Sequence, residues 1–195
     1  MSIWSENDKQ GYAICFNNGV GQITLDTEFG KIIYNIARNT NCKTYLEVGT
    51  WNGLGSTKCF VEGFQFRTND FVFYSLECNA EKTYIAQSIY KNMNNMNNIK
   101  NIDNINILNE VLYNDIPNNI YDIFPNLETD ETYKLWHQID FINMQKCKLF
   151  FDRQNLPEIF DVVLLDGGEF TTYFEFKKIE NKCKLRSEEH TSELQ

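Results

Sequence analysis

The chain has 195 residues, 42% hydrophobic and 23% charged, which suits one α/β domain with a real core and leaves little room for a second. A formal net charge of -9 argues against a broad basic face for nucleic acid, because phosphate binding draws on clustered Lys and Arg. No apolar run approaches the roughly 20 residues of a membrane span, and the polar start from Met1 to Gly11 lacks the layout of a signal peptide.

Residues 1–21 read as an N-terminal extension ahead of a domain spanning 22–185. From Thr24 to Asn39, Phe29, Ile32, Ile33, Ile36 and Ala37 recur at three and four, which predicts a helix. Thr24 or Asp26 is its candidate cap, and Asn39-Thr40-Asn41 its stop. Thr44 to Val48 is β-prone and ends at a glycine, as a buried strand does. A glycine-rich stretch, Gly49 to Gly55, leads into a helix from Ser56 to Phe64. A second strand is expected over Phe71–Glu77. Asn79 can cap the helix after it, with Ile85, Ala86, Ile89, Met93 and Met96 facing inward. The asparagine-rich run from Lys91 to Glu110 reads as compositional bias, and within it Ile105–Leu108 is a third strand. Between Tyr113 and Leu156, Phe141, Ile142, Cys147, Leu149 and Phe150 suggest a helix and a short extended piece. Phe160–Asp166 is the clearest strand. It ends at Gly167-Gly168, and a helix from Thr171 or Thr172 towards Lys182 follows.

Apolar strands alternating with amphipathic helices specify an α/β, Rossmann-like fold: a mostly parallel sheet with helices on both faces. The loops that follow the strands then lie along one edge, and ligands bind there, near the reversal of strand order.

Set side by side, those loops present one glycine turn and several acids. The first strand delivers Glu47-Val48-Gly49-Thr50-Trp51-Asn52-Gly53-Leu54-Gly55-Ser56-Thr57, the second Glu77, the third Asn109 and Glu110, and the fourth Asp166-Gly167-Gly168-Glu169. Glycines let the backbone approach a ligand without a Cβ in the way. The helix start at Ser56-Thr57 offers N–H groups and positive dipole to a carboxylate or phosphate. Glu77 can accept both hydroxyls of a ribose and would repel a 2'-phosphate. Together they fit a cationic, nucleoside-like ligand.

The stretch from Thr44 to Phe60, then Glu77, then Asp161 to Glu169, resembles the class I S-adenosylmethionine-dependent methyltransferases, in particular small-molecule O-methyltransferase-like members. The resemblance implies a methyl transfer to a hydroxyl, less readily an amine, of a small molecule or sugar. By matching position it implies cofactor contacts from Glu47, Gly49, Thr50, Gly53, Gly55 and Ser56, a ribose held by Glu77, and Asn109 or Glu110 beside the adenine. Asp166 would face the methyl donor, the acceptor or a metal. Relatives often carry a histidine after the fourth strand. Here the run is Asp-Gly-Gly-Glu, so Glu169 is the nearby substitute for a base. In metal-dependent relatives further ligands follow a fifth strand, so a divalent metal stays open, as does the oligomeric state. Trp51 either lines the pocket or packs over the loop, and His137 reads as a non-catalytic histidine.

Two other readings compete. A nicotinamide-dependent oxidoreductase would want Gly-x-Gly-x-x-Gly, whereas the spacings here run four then two. A nucleoside-binding domain without catalysis is the third reading. The six scattered cysteines hold no Cys-x-x-Cys pair, which fits reduced thiols in a cytoplasmic protein rather than a zinc site.

The last ten residues, Arg186 to Gln195, resemble a translated sequencing adapter. Left out of fold reasoning, they take two negative charges and His190 with them, leaving -7 and His137 as the sole histidine. On that reading the sheet stops after the fourth strand, whose free apolar edge would make the chain poorly stable.

Overall fold

The computed structural model describes residues 21–95, 102–115, 120–124, 131–168 and 170–188. Cys15, Met96, the side chain of Met93, and Glu169 lie outside the described residues.

The elements run α1 (Glu28–Arg38), β1 (Thr44–Val48), α2 (Ser56–Phe64), β2 (Val72–Leu76), α3 (Ala80–Asn95), β3 (Ile105–Leu108), β4 (Glu110–Val111), α4 (Ile120–Ile123), α5 (Glu131–Met144), β5 (Lys148–Leu149), β6 (Phe160–Leu165), α6 (Thr172–Ile179) and β7 (Cys183–Glu188). Five strands form a parallel sheet in the order β3-β2-β1-β6-β7. The order turns back between β1 and β6, so the crevice for a ligand opens at their C-terminal ends.

Strand residues point alternately to two apolar layers, which is why the strands read as continuous apolar runs. Tyr45, Phe73, Val162 and Leu164 pack with Ile33, Ala37, Phe60 and Phe64 of α1 and α2. Leu46, Leu76, Val163 and Leu165 pack on the opposite face with Phe150 and Ile179, the latter from α6. Ala86, Ile89 and Tyr90 of α3 close on Val61 and Ile107. A two-stranded parallel patch joins β4 to β5. There Val111 packs with Met144 and Cys147 and against Cys78, which brings the end of α5 over the C-terminal edge of the main sheet.

Two expectations need correction. The cap of α1 is Thr27, not Thr24 or Asp26: its hydroxyl oxygen accepts the Gly30 amide at 3.1 Å, while its O–H donates to the Thr24 carbonyl at 2.7 Å. Thr24 thus serves the turn that precedes the cap. The sheet also does not stop at the fourth strand. β7 pairs with β6 from Phe160↔Cys183 to Leu165↔Glu188, so β6 is an interior strand and three tail residues, 186–188, continue the ladder. The sequence Cys-Lys-Leu-Arg-Ser-Glu hides this strand because an edge pairs through its backbone and tolerates charged side chains. At the opposite end of the strands, Asp161 ties the sheet together. Its carboxylate accepts the amides of Lys43 and Thr44 at 2.6 and 3.1 Å and the Lys184 ammonium at 2.8 Å.

Candidate active site

The loop after β1 is stitched to both neighbouring strands. The amides of Gly49 and Thr50 both donate to the Leu76 carbonyl, at 2.9 and 3.0 Å, and the Asp166 amide donates to the Val48 carbonyl at 2.8 Å. Gly49 has φ 103°, and a Cβ there would sit 1.9 Å from the Asp166 carbonyl oxygen. Only glycine admits so close an approach with that backbone angle. Trp51 takes a left-handed φ of 52°, a costly conformation for a bulky residue, and its amide donates to Glu77 Oε2 at 2.7 Å. The Lys82 ammonium lies 3.1 Å over the Trp51 ring. Gly53, with φ 81°, fits against α3, since a Cβ would meet Ala86 and Tyr90 at 3.0 Å. Its amide turns back to the Thr50 carbonyl at 2.9 Å, and its carbonyl accepts the Tyr90 hydroxyl.

Glu47 is fully buried, and its carboxylate sits in a cage of hydroxyls. Ser56 and Thr57 donate to it at 2.6 Å each and Ser75 at 2.5 Å. The Thr50 hydroxyl is 2.5 Å from that of Ser75 and completes the chain. Burial pushes the Glu47 carboxyl up, and the three hydroxyl donors hold it back. Ser56 and Thr57 open α2, whose N-cap, Gly55, offers no side-chain oxygen, so this carboxylate meets the positive end of the helix. The sequence expects that end to receive an anionic part of the ligand. The structure gives it a carboxylate of the protein itself.

Glu77, just past β2, is 9% exposed. Its two oxygens accept the Trp51 amide at 2.7 Å and the Asn79 amide at 2.8 Å. Burial raises its carboxyl above the usual range. The two amides and the Lys82 ammonium oppose that, and Asp140 adds to it. Asn79 in turn caps α3 through the amides of Glu81 and Lys82. Asn109 clamps the end of β2 from the side, donating to the Glu77 and Cys78 carbonyls at 2.8 and 3.0 Å.

Some of these pieces border a depression at the crevice between β1 and β6, whose empty space of about 360 Å3 includes open solvent. Gly49, Glu77 and Glu110 line it, together with Gly167 and Gly168 after β6. Glu110 is held by Arg153 at 2.7 Å. Glu47, Thr50, Gly53, Gly55, Ser56 and Asp166 are not among its lining residues. Gly55 borders a separate recess with Thr24, Asp26 and Lys58. Asp166 is half-buried at the end of β6, where its main chain seats Gly49.

Sequence reasoning missed Cys78, Asp140, Met144, Thr171 and Glu175, all of which line the depression. Glu175 lies four residues from buried Ile179 on the inner face of α6, at 3% exposure, where its charge rather than its position suggests solvent. Asp140 belongs to α5, whose apolar residues trace no clean stripe: Leu135, Trp136, Ile139, Phe141 and Ile142 are all exposed. His137 sits edge-on to Phe170, with its imidazole pKa lowered by burial, and does not line the depression. Among the described residues, no group of three or more His, Cys, Asp or Glu is placed to hold a metal ion, and no helix is long and apolar enough to cross a membrane.

No family model and no curated protein matches the chain. Its fold is similar to an O-methyltransferase from Bacillus cereus in complex with SAH (TM-score 0.48, 16% identity, covering 90% of this chain and 59% of that one). It is similar also to the O-methyltransferase TomG from Streptomyces achromogenes, involved in tomaymycin synthesis, in complex with SAM (TM-score 0.48, 15% identity, 90% and 58%). A third likeness is to cofactor-bound Rv0187 from MTB (TM-score 0.47, 14% identity, 85% and 55%). The chain thus spans 55% to 59% of the length of those chains.

Proposed function

We propose that the chain binds S-adenosylmethionine in the depression between β1 and β6 and forms the cofactor-binding core of a methyltransferase. The acceptor is a hydroxyl, less readily an amine, of a small molecule or sugar. The observation that carries this reading is the shared border of Gly49 and Glu77: a turn without a side chain and a buried carboxylate face one space at the strand-order reversal. Oε2 of Glu77 holds one backbone amide and keeps a second lone pair for a ribose hydroxyl, while Oε1 holds the Asn79 amide and a long 3.7 Å bond from the Cys78 thiol that a second ribose hydroxyl would displace. Among the described residues the lining carries Glu77, Glu110, Asp140 and Glu175 and no basic side chain, which suits a positively charged occupant.

When bound, the cofactor supplies an electrophilic methyl group. The protein's work is then to hold donor and acceptor in line and exclude water. Gly49 admits the ligand close to the strand ends, Glu77 fixes the sugar, and Asp166 seats the turn through its main chain. A dinucleotide fits less well. Its diphosphate would seek the start of α2, where the Glu47 carboxylate already stands.

Calorimetric titration tests the assignment. S-adenosylhomocysteine should bind in the micromolar range, with no response to NAD. Binding of NAD alone would replace this reading with the oxidoreductase. Cofactor binding with no methyl transfer to any acceptor would favour the non-catalytic domain.

A further inference from the structure

Glu175 carries a buried carboxyl oxygen that no described residue reaches with a hydrogen bond. The residue is 3% exposed; Oε1 accepts the Thr171 hydroxyl at 3.0 Å, while Oε2 has no hydrogen-bond partner among the described residues. It hangs over the loop after β6, where a Cβ added at Gly167 would lie 3.3 Å from Oε2. Asp140 approaches from α5, its Oδ2 3.8 Å from the same point on Gly168. Two acids from two helices thus flank the two glycines that border the depression at the strand-order reversal.

We propose that Glu175, seconded by Asp140, is a subsite for an onium group, a singly positive centre bound in the crevice between β1 and β6. Two sources share this chemistry: the sulfonium of the methyl donor and an alkylammonium on the acceptor. The first rests on the cofactor reading above; the second does not. A buried, half-bonded carboxylate is costly to leave ionised, and a cation beside it offsets that cost. An onium group suits the geometry because it needs no coordination shell, and the lining carboxylates do not converge on a metal position. Burial pushes the Glu175 carboxyl up to about 7; the Thr171 hydroxyl pulls it down and Asp140 pushes it further up. The other ionisable groups of the lining are Glu77, Cys78 and Glu110; the Lys82 ammonium acts on Glu77 and Arg153 is paired with Glu110. An onium group therefore binds with loss of a proton, and its affinity rises from pH 6 to pH 8.

The test compares wild type, Glu175→Gln and Asp140→Asn. Calorimetry measures S-adenosylmethionine against S-adenosylhomocysteine, which differ by one methyl and one charge. Magnetic-resonance titration measures trimethylsulfonium and methylammonium, with neutral dimethyl sulfide as control. Wild type should prefer S-adenosylmethionine about tenfold at pH 8 and less at pH 6, as one charge-assisted contact implies. Glu175→Gln should abolish the preference, Asp140→Asn should narrow it, and S-adenosylhomocysteine affinity should hold in both. Asp140→Asn, on a half-buried residue, keeps the test decisive if the Gln variant does not fold. Trimethylsulfonium alone perturbed at this site assigns the donor's sulfonium, and methylammonium alone an acceptor amine. If trimethylsulfonium binds through Glu175 while neither cofactor form binds, the cofactor reading fails and the subsite stands. The subsite is overturned if preference and probe binding are the same in wild type and both variants.

Discussion

Replacing Glu77 separates its two roles. In the free protein its carboxylate clamps the turn, taking the Trp51 amide at 2.7 Å and the Asn79 amide at 2.8 Å. Hydrogen bonds to a charged group contribute about 1.5–3 kcal/mol each. Both amides belong to half-buried residues that regain some water when the clamp is lost. Glu77→Ala should therefore cost about 2–4 kcal/mol of stability, below the sum of two such bonds. For a chain of this size that is a fall in Tm of roughly 4–16 °C. Glu77→Gln keeps one acceptor oxygen but sets an NH2 against a backbone N–H, so it should cost roughly half as much. In ligand binding the two variants should converge. Neither can accept two hydroxyls as a carboxylate does, and S-adenosylhomocysteine affinity should fall about 10- to 100-fold in each. Urea unfolding and calorimetry, the latter well below the transition, read the two effects separately. Unchanged stability in the Ala variant would refute the clamp, and unchanged affinity in the Gln variant would remove Glu77 from the ligand.

Three further outcomes follow from the geometry. Gly49→Ala should lose at least about 3 kcal/mol in urea unfolding, because a Cβ 1.9 Å from the Asp166 carbonyl must prise β1 from β6 at a positive φ; a loss below about 1 kcal/mol would show that the strand ends are not so tightly joined. Glu47→Ala should cost about 3 kcal/mol or more by emptying a buried site and removing the shared acceptor of three hydroxyls, while Glu47→Gln costs about 1 kcal/mol and leaves S-adenosylhomocysteine affinity unchanged. A Gln variant that melts normally but binds weakly would move Glu47 from the cage to the ligand. Glu175 has its folded pKa raised from 4.5 to about 7, so its contribution is fully present below pH 4.5 and lost as pH rises through 7. Stability measured relative to Glu175→Gln should accordingly fall by up to about 3 kcal/mol over that range, and a flat difference would contradict the buried, half-bonded carboxyl.

The sequence shows what recurs with a period and obscures what depends on a neighbour. The strand from Thr44 to Val48, the helix from Ser56 to Phe64 and the strand from Ile105 to Leu108 lie where patterning puts them, because each buries a regular apolar set. Gly49 and Glu77 follow from their places at strand ends. Glu47 is two residues from Gly49 and chemically identical to Glu77, yet its strand position turns it inward onto Ser56, Thr57 and Ser75. No property of the residue itself distinguishes the two acids; only the partner strand does. Glu175 and Asp140 come together from helices that are distant in sequence, and their juxtaposition depends on the β4–β5 patch that brings α5 over the sheet. β7 was hidden for the opposite reason: its pairing is made by the main chain, which every sequence shares.

A structure of the protein with S-adenosylhomocysteine bound tests the central claim most directly. The ribose hydroxyls should lie within hydrogen-bonding distance of both Glu77 oxygens, and the ligand's sulfur between Gly49 and Glu175. A ligand seated instead in the recess of Thr24, Gly55 and Lys58, or one that touches Gly49 without reaching Glu77, would contradict it.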